Sequence, residues 1–265
     1  MSIAPSSTAP GVEPYPAEQK CLVDVYVWEL PVRLAHWTIF VSMVVLGVTG
    51  FYIGNPFVSA PGEAGQSFVM GTFRAVHFWA AFVFTTAVLV RIIWMFTGNK
   101  YSHWDKFLPV HRVRRKGILP TIRFYAFGQR KPPGFIGHNP LAGIAYTVVY
   151  LLMISQILTG FGLYAMSAGV DSPIRFFTGV LPLFGGPQSA RFIHHIVMWM
   201  LWGFAAHHFW SSVLMSTEEA NATVESIFSG HKFVPPEDLV YSGYRFMPRE
   251  EIPEELHDEM DRFEP

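Results

Sequence analysis

The chain has 265 residues, 51% of them hydrophobic and only 15% charged, and its formal net charge is −1. An ordinary soluble domain has about 25% charged residues, so this composition argues against one, and no nucleic-acid partner is expected. The only cysteine is Cys21, which excludes an intramolecular disulfide, a cysteine-ligated iron–sulfur cluster and a covalent CxxCH haem site.

The chain begins with residues 1–21, which are rich in Pro, Ser and Ala and are predicted to be a disordered tail. Residues 22–234 are predicted to be one transmembrane domain, because this region contains four apolar runs near the roughly 20 residues that cross a bilayer core. These predicted spans are residues 34–54, 75–96, 141–166 and 192–215. Arg91 is their one charged residue, and it lies near the end of the second span, where its side chain could snorkel to the interface.

The sequence therefore predicts an all-α integral membrane protein, folded as a four-helix bundle. Residues 218–228 are predicted to lie as an amphipathic helix on the membrane face. Residues 235–265 are predicted to be a polar tail, since this stretch is too charged to cross a bilayer. No repeat at a fixed period is evident.

The distribution of basic residues predicts the orientation. Residues 99–138 contain nine Lys and Arg, whereas the other two connecting loops together hold only Arg74, Arg175 and Arg191. Short loops rich in Lys and Arg stay in the cytoplasm. This long basic loop between the second and third spans is therefore predicted to be cytoplasmic, as are both termini, and the protein is assigned to the bacterial inner membrane.

Histidines are concentrated in the predicted spans. Six lie within the spans or at their ends: His36, His77, His194, His195, His207 and His208. A buried ionisable side chain at membrane depth usually marks a functional site, although a lone one can simply bond a neighbouring helix. The spans lack the Asp and Glu that a proton or metal transporter would need, whereas neutral imidazoles suit haem iron.

Helix geometry selects a pair of histidines in the fourth span. His194 and His208 are 14 positions apart, so they differ by about 40° around a helix and by ~21 Å along it. The predicted topology then pairs His77 with His194 at the periplasmic side and His36 with His208 at the cytoplasmic side. The two remaining histidines of this span, 195 and 207, are expected to bond a neighbouring helix or a haem propionate.

Small and basic residues accompany these histidines. Glycines in the spans either let a flat porphyrin approach the backbone or serve ordinary helix packing; they are Gly47, Gly50, Gly160, Gly162 and Gly203. Three arginines flank the ligand positions and either pair with haem propionates or anchor the helix ends. They are Arg33, Arg74 and Arg191.

These motifs resemble the b-type cytochrome subunit of membrane-bound nickel–iron hydrogenases, a family related to the formate dehydrogenase cytochrome b subunit. The matching stretches include PVRLAHW at 31–37, RAVHF at 74–78, GNKYS at 98–102, IGHNP at 136–140 and SGHKF at 229–233. They occur in the order and on the segments that the family shows. The resemblance extends over residues 22–234 and leaves out both tails.

The resemblance implies two haem b groups, held by His36, His77, His194 and His208. It also implies a periplasmic pair of small and large hydrogenase subunits, whose iron–sulfur chain supplies electrons, and quinone as acceptor near the cytoplasmic haem. Residues that would meet quinone are Gly137, His138 and Asn139. His138 offers a donor and an acceptor, whereas Asn139 before Pro140 also suits a helix N-cap.

Other functions stay open at this stage. The chain would be an electron-transfer subunit of a hydrogen:quinone oxidoreductase, while the hydrogen chemistry itself belongs to its partner. The same cytochrome could instead serve a formate dehydrogenase or another periplasmic oxidoreductase, or work alone as a transmembrane di-haem cytochrome. A haem-free lipid-embedded anchor or small-molecule channel is the rival from another class.

Overall fold

The computed structural model describes residues 22–57, 68–130 and 132–235. The predicted N-terminal tail, residues 1–21, and residues 236–265 of the predicted C-terminal tail lie outside the described residues. Within the described ranges, six α-helices and two short strands follow one another. In chain order they are β1 (Val23–Tyr26), α1 (Leu30–Gly54), α2 (Val69–Thr97), α3 (Arg112–Tyr125), α4 (Pro140–Ala165), α5 (Pro187–Glu219), α6 (Ser226–Ser229) and β2 (His231–Val234).

The long helices begin where the sequence supplies starting residues. A proline stands in the first turn of α1, α4 and α5, a position where its missing N–H leaves no helical hydrogen bond unmade. The N-cap of α4 is Asn139, whose side chain accepts a hydrogen bond from the Ala142 backbone N–H at 2.8 Å. The predicted cap is therefore confirmed. Two 3₁₀ segments, Trp104–Lys106 and Pro173–Phe184, lie in the second and third connections.

Three helices, α1, α2 and α4, are long and apolar enough to cross a membrane. They match the first three predicted spans, with α1 and α2 starting a few residues earlier than predicted and α4 ending at Ala165, one residue before the predicted bound. The fourth predicted span lies within α5, which at 33 residues is the longest helix. It does not reach the same apolar character, because its four histidines lower its hydropathy.

A small antiparallel ribbon, which the all-α prediction missed, joins the two ends of the described chain. Val23 pairs with Val234, and Tyr26 pairs with His231. The Glu29 side chain, just after β1, accepts hydrogen bonds from the Trp94 indole at 2.8 Å and the Asn99 backbone N–H at 2.7 Å. The ribbon, the start of α1 and the end of α2 therefore lie on the same face of the bundle.

The interior of the bundle is apolar. Phe84 and Val88 of α2, Met153 of α4, and Val197 and Leu201 of α5 form one buried cluster. This cluster joins three helices at mid-depth, between the two groups of histidines. Its side chains keep the helices at fixed spacing and exclude water from the middle of the bundle.

Arg91 is buried inside the protein, whereas the predicted extension to the membrane interface would leave its side chain exposed. Its side chain is only 5% exposed, and its guanidinium lies over the Phe107 ring, 5.1 Å from the ring centre. The Nη1 atom is buried and has no hydrogen-bond partner within the described part of the chain. The loop that carries Phe107 folds over the end of α2 and covers this arginine. The sequence of α2 alone does not predict this cover, because Phe107 belongs to another segment.

The prediction of one amphipathic helix over residues 218–228 is also wrong. Helix α5 ends at Glu219, and the backbone then takes positive φ at Ala220 (48°) and Ala222 (60°). Left-handed backbone stops a helix. The chain therefore turns back, forms the four-residue helix α6 and enters β2.

Candidate functional site

His77 of α2 and His194 of α5 line one cavity of about 570 Å³ between the long helices. A volume of roughly 300–1,000 Å³ is usual for a site that holds a cofactor-sized molecule. The wall is mostly apolar and includes Met43, Leu46 and Phe161. The structure thus brings together two histidines that lie far apart in the sequence.

Both rings in this cavity are held by a threonine of the preceding helix. The Nδ1 atom of His77 lies 2.8 Å from the Thr49 hydroxyl, and that of His194 lies 2.9 Å from the Thr159 hydroxyl. The other ring nitrogen of His194, Nε2, lies 3.1 Å from the Gln156 amide nitrogen. Since each Nδ1 is bonded to a threonine, Nε2 is the nitrogen that each ring would offer to a metal ion, and at His194 the metal ion would replace the Gln156 contact.

Glycines lie against the same two rings. A Cβ atom at Gly50 would lie 3.4 Å from Cε1 of His77, and one at Gly160 would lie 3.1 Å from Cε1 of His194. Gly47 also lines the cavity, where a Cβ would lie 2.6 Å from the Trp202 indole. These three of the five predicted glycines therefore border the site.

The other two predicted glycines do not line this cavity. A Cβ at Gly162 would collide with the Leu181 side chain at 2.8 Å, so Gly162 serves packing against the second 3₁₀ segment. Gly203 has no described atom within 4 Å of its Cβ position and does not line the cavity.

The polar atoms of the cavity fit a haem. Arg74 and Arg191, two of the three predicted propionate partners, both line it. Among the described residues, no hydrogen-bond partner is found for the buried Oε1 of Gln156 or Nε1 of Trp202, and both side chains line the cavity. Two imidazoles, two cations and unpaired polar groups around an apolar space match the chemistry of a bis-histidine porphyrin with its carboxylates.

The second histidine pair lies nearer the ribbon. The ring centres of His36 and His208 are 6.2 Å apart. Two imidazoles that share one metal ion, each bonded at about 2 Å, have ring centres roughly 6 Å apart. Phe204 stacks on His208 with its ring centre at 5.6 Å, and the Tyr146 hydroxyl lies 3.3 Å from His208 Nδ1. The Nδ1 atom of His36 is buried and has no partner among the described residues.

The neighbouring histidines of α5 behave differently. His195 donates from Nδ1 to the Arg191 backbone carbonyl at 2.8 Å, so it bonds its own helix and not a neighbouring one. Its ring nevertheless borders the first cavity. His207 is exposed and lies near Trp210, with ring centres 5.7 Å apart. Neither residue faces a second histidine across the bundle as His194 and His208 do.

Arg33, the third predicted propionate partner, donates to the backbone carbonyl of Phe228 instead. This bond ties the start of α1 to α6. Arg33 therefore holds the fold together near the second histidine pair, and its guanidinium is at least partly committed to the protein itself.

His138 lies beside the second pair. Its ring is packed against Trp28 at 4.7 Å and Tyr146 at 4.6 Å between ring centres. Burial, followed by the nearby positive charges of Arg91 and Arg114, holds the pKa of His138 well below its usual range. The neutral imidazole can both donate and accept a hydrogen bond. The Asn139 side chain, in contrast, is engaged in capping α4.

Sequence reasoning missed Thr49 and Thr159. Threonine is common in membrane helices, where its hydroxyl usually bonds a carbonyl one turn back. A signal was nevertheless present, because the triplet Thr-Gly-Phe occurs at 49–51 and again at 159–161. In both triplets the threonine and the glycine contact the same histidine ring.

The fold and the site together define a membrane helical bundle with two pairs of facing histidines, the arrangement that a membrane cytochrome of the b type requires. A family model described as prokaryotic cytochrome b561 matches residues 27–230. The chain belongs to this family of membrane cytochromes.

Three relatives are similar over most of their length. The chain is 39% identical over 211 residues to a protein of Bradyrhizobium diazoefficiens, covering 78% of this chain and 85% of the relative. It is 37% identical over 219 residues to one of Cupriavidus necator, covering 82% and 90%. Both are named probable Ni/Fe-hydrogenase B-type cytochrome subunit. The probable Ni/Fe-hydrogenase 1 B-type cytochrome subunit of Escherichia coli is 36% identical over 219 residues, covering 80% and 93%.

Proposed function

We propose that this protein is the membrane cytochrome subunit of a nickel–iron hydrogenase, holds two haem b groups and passes electrons to quinone. The observation that carries the proposal is the arrangement of four half-buried histidines as two facing pairs, with His194 and His208 14 residues apart along α5. The names of the relatives add the hydrogenase. Hydrogen oxidation would belong to the large subunit of the partner.

Each pair would hold one haem iron through the imidazole nitrogens of His36 and His208, or of His77 and His194. Haem b supplies reversible one-electron transfer when it is bound. The protein's own residues keep the two sites at different depths, exclude water and leave space for a flat ring. Arg74 and Arg191 are the cations we assign to the propionates of the His77/His194 site.

We infer that α5 is a fourth span, on the basis of chain parity. The ribbon joins β1 before α1 to β2 after α5, so both ends of the described chain lie on one face. An odd number of crossings would leave them on opposite faces. Three apolar helices therefore require a further crossing, and α5 is the remaining helix of sufficient length. The histidines that α5 places inside the bundle explain why its mean hydropathy is lower than that of the other three long helices.

The orientation follows from charge. The basic loop, residues 99–138, is tied to the ribbon, because Lys232 of β2 donates to the Ile136 carbonyl at 3.2 Å. Loops of this composition stay in the cytoplasm. The His36/His208 pair, near the ribbon, is then cytoplasmic, and the His77/His194 pair is periplasmic. Electrons from the iron–sulfur small subunit would arrive at the periplasmic side of the inner membrane.

Quinone would be reduced at the cytoplasmic side, beside His138. The Tyr146 ring lies between His138 and His208, with ring centres at 4.6 Å and 5.6 Å respectively. A quinone carbonyl requires a hydrogen-bond donor, and a neutral imidazole provides one without the expense of a buried charge. The apolar rings of Trp28 and Phe107 on the other sides of His138 suit the quinone ring.

The proposal is tested by purifying the protein from its own host in mild detergent. A pyridine haemochrome assay should give about two non-covalent protohaems per chain, and hydrogenase small and large subunits should be present in the same complex. A preparation without haem would refute the cytochrome function. A haem-containing complex with a different dehydrogenase and no hydrogenase would refute the assigned partner.

A further inference from the structure

Thr49 and Thr159 occupy equivalent places in the His77/His194 site. Thr49 on α1 meets His77 on the next helix, α2, and Thr159 on α4 meets His194 on the next long helix, α5. In each case the residue after the threonine is a glycine that lies against Cε1 of the same ring. The two halves of the site thus repeat one local arrangement.

The hydroxyl protons decide which way these hydrogen bonds run. Thr49 Oγ1 lies 2.7 Å from the Val45 carbonyl oxygen, and Thr159 Oγ1 lies 2.7 Å from that of Ser155. A hydroxyl has one proton, and a carbonyl oxygen can only accept. The threonine proton therefore goes to the carbonyl, and the threonine oxygen accepts the Nδ1 proton of its histidine.

This direction fixes the tautomer of both rings. With the proton on Nδ1, the Nε2 atom has a free lone pair, as a metal ligand must. The Gln156 amide nitrogen lies 3.1 Å from His194 Nε2 and can donate only to an unprotonated nitrogen, so it supports the same tautomer, and a metal ion at Nε2 would replace this contact. The other pair has weaker support, because His36 Nδ1 has no partner among the described residues. His208 Nδ1 has only longer contacts, to the Tyr146 hydroxyl at 3.3 Å and the Ser212 hydroxyl at 3.5 Å.

We propose that Thr49 and Thr159 are positioning residues that make His77 and His194 more basic ligands and lower the reduction potential of their site relative to the His36/His208 site. An acceptor at the second ring nitrogen raises ligand basicity and favours the oxidised metal. The difference would make electron flow from the periplasmic to the cytoplasmic site downhill. This inference rests on the proposed function.

The test compares Thr49→Val and Thr159→Val with the serine variants at the same positions. Valine keeps the size of threonine but removes the hydroxyl, and serine keeps the hydroxyl. Optical redox titration should show each valine variant shifting one of the two haem transitions about tenfold toward the reduced form, which is about 59 mV upward for one electron. The serine variants should keep the wild-type potential.

Thr86→Val is the matched control, because the Thr86 hydroxyl donates to the Phe82 carbonyl at 2.9 Å on an exposed part of the same bundle. It should leave both potentials unchanged. The electron paramagnetic resonance signal of the shifted haem should also change in the two valine variants at positions 49 and 159 and not in the control.

Four results would overturn the inference. Both valine variants could keep two haems with wild-type potentials, which would leave the cytochrome function intact and refute only the role of the threonines. Serine could shift the potential as far as valine, which would point to packing. If a valine variant loses a haem altogether, the serine variant at the same position must retain that haem at the wild-type potential. A serine variant that also loses the haem would refute the role of the hydroxyl. A wild-type protein without haem would refute the function and the inference together.

Discussion

The two histidine pairs differ in how their rings are held. In the His77/His194 pair each Nδ1 bonds a threonine hydroxyl at 2.8–2.9 Å, and a glycine leaves room beside each ring. In the His36/His208 pair His36 Nδ1 has no partner among the described residues. His208 has aromatic neighbours and only longer contacts at Nδ1, to the hydroxyls of Tyr146 at 3.3 Å and Ser212 at 3.5 Å. The rings of the first site are held by short hydrogen bonds, whereas those of the second are held mainly by packing.

This difference shows how one fold can give two chemically similar sites unlike properties. Hydrogen bonds to ligands raise their basicity, while aromatic and apolar neighbours control solvent access and polarity. The His36/His208 site also lies beside His138 and the basic loop, which the first site does not. We assign the first site to electron arrival and the second to quinone on these grounds.

The largest expected effect concerns orientation, since it decides which pair faces the hydrogenase. A topology reporter fused after Lys116 should report a cytoplasmic location. A reporter fused after Ala168 should report a periplasmic location. The expectation follows from the basic loop and the short, less basic third connection. The opposite pattern in both fusions would exchange the roles of the two sites.

Replacement of one glycine should separate the two sites. In Gly160→Ala the new Cβ would lie 3.1 Å from Cε1 of His194 and push the ring aside. We expect haem affinity at this site to fall about tenfold, a usual loss when the support of a metal ligand is disturbed, with the His36/His208 haem retained. Haem content and redox titration measure both sites.

The matched control for that variant is Gly203→Ala, because no described atom lies within 4 Å of its Cβ position. Alanine favours a helix over glycine by about 1 kcal/mol, so this variant should keep two haems and lose no stability. Two haems at wild-type affinity in Gly160→Ala would show that the glycine is not needed for the ring position.

A smaller effect is expected at His138, which distinguishes the second site from the first. In His138→Ala the loss of one hydrogen bond to quinone should reduce quinone turnover roughly tenfold, because the chain keeps its haem ligands. Hydrogen-dependent reduction of the haems should continue at the normal rate. Equal loss of haem reduction and quinone turnover would place His138 outside the quinone site.

The smallest effect is expected next to it, at Asn139. The Asn139 side chain caps α4 through the Ala142 N–H, and loss of an N-cap destabilises a protein by about 1 kcal/mol. Asn139→Ala should therefore lower the thermal midpoint slightly while quinone turnover stays normal. Turnover as low as in His138→Ala would mean that Asn139 binds quinone as well.

Hydropathy and charge predicted much of the architecture. Four apolar runs gave the positions of α1, α2, α4 and α5, because burial in lipid imposes long uninterrupted apolar stretches. The ribbon was not predictable, since Val23 and Val234 are far apart in the chain and two four-residue strands leave almost no pattern. Arg91 was misplaced because its burial depends on Phe107, which belongs to another segment.

The histidine pairs could be anticipated because ligand spacing along one helix and alternation of spans restrict depth. Their supporting groups could not. A threonine in a membrane helix has an adequate partner in its own backbone, so sequence gives no reason to expect a second bond to a histidine. The choice of Arg74 and Arg191 over Arg33 likewise depends on Arg33 meeting the Phe228 carbonyl, a contact between distant segments.

The most direct test of the central claim removes one ligand from each pair, using adjacent histidines as controls. His194→Ala should abolish hydrogen-dependent haem reduction, whereas His208→Ala should leave one reducible haem but no quinone turnover, because about 21 Å separates the ligand positions along α5. His195→Ala and His207→Ala should each retain two haems and quinone turnover. Normal quinone turnover in His208→Ala would contradict the account.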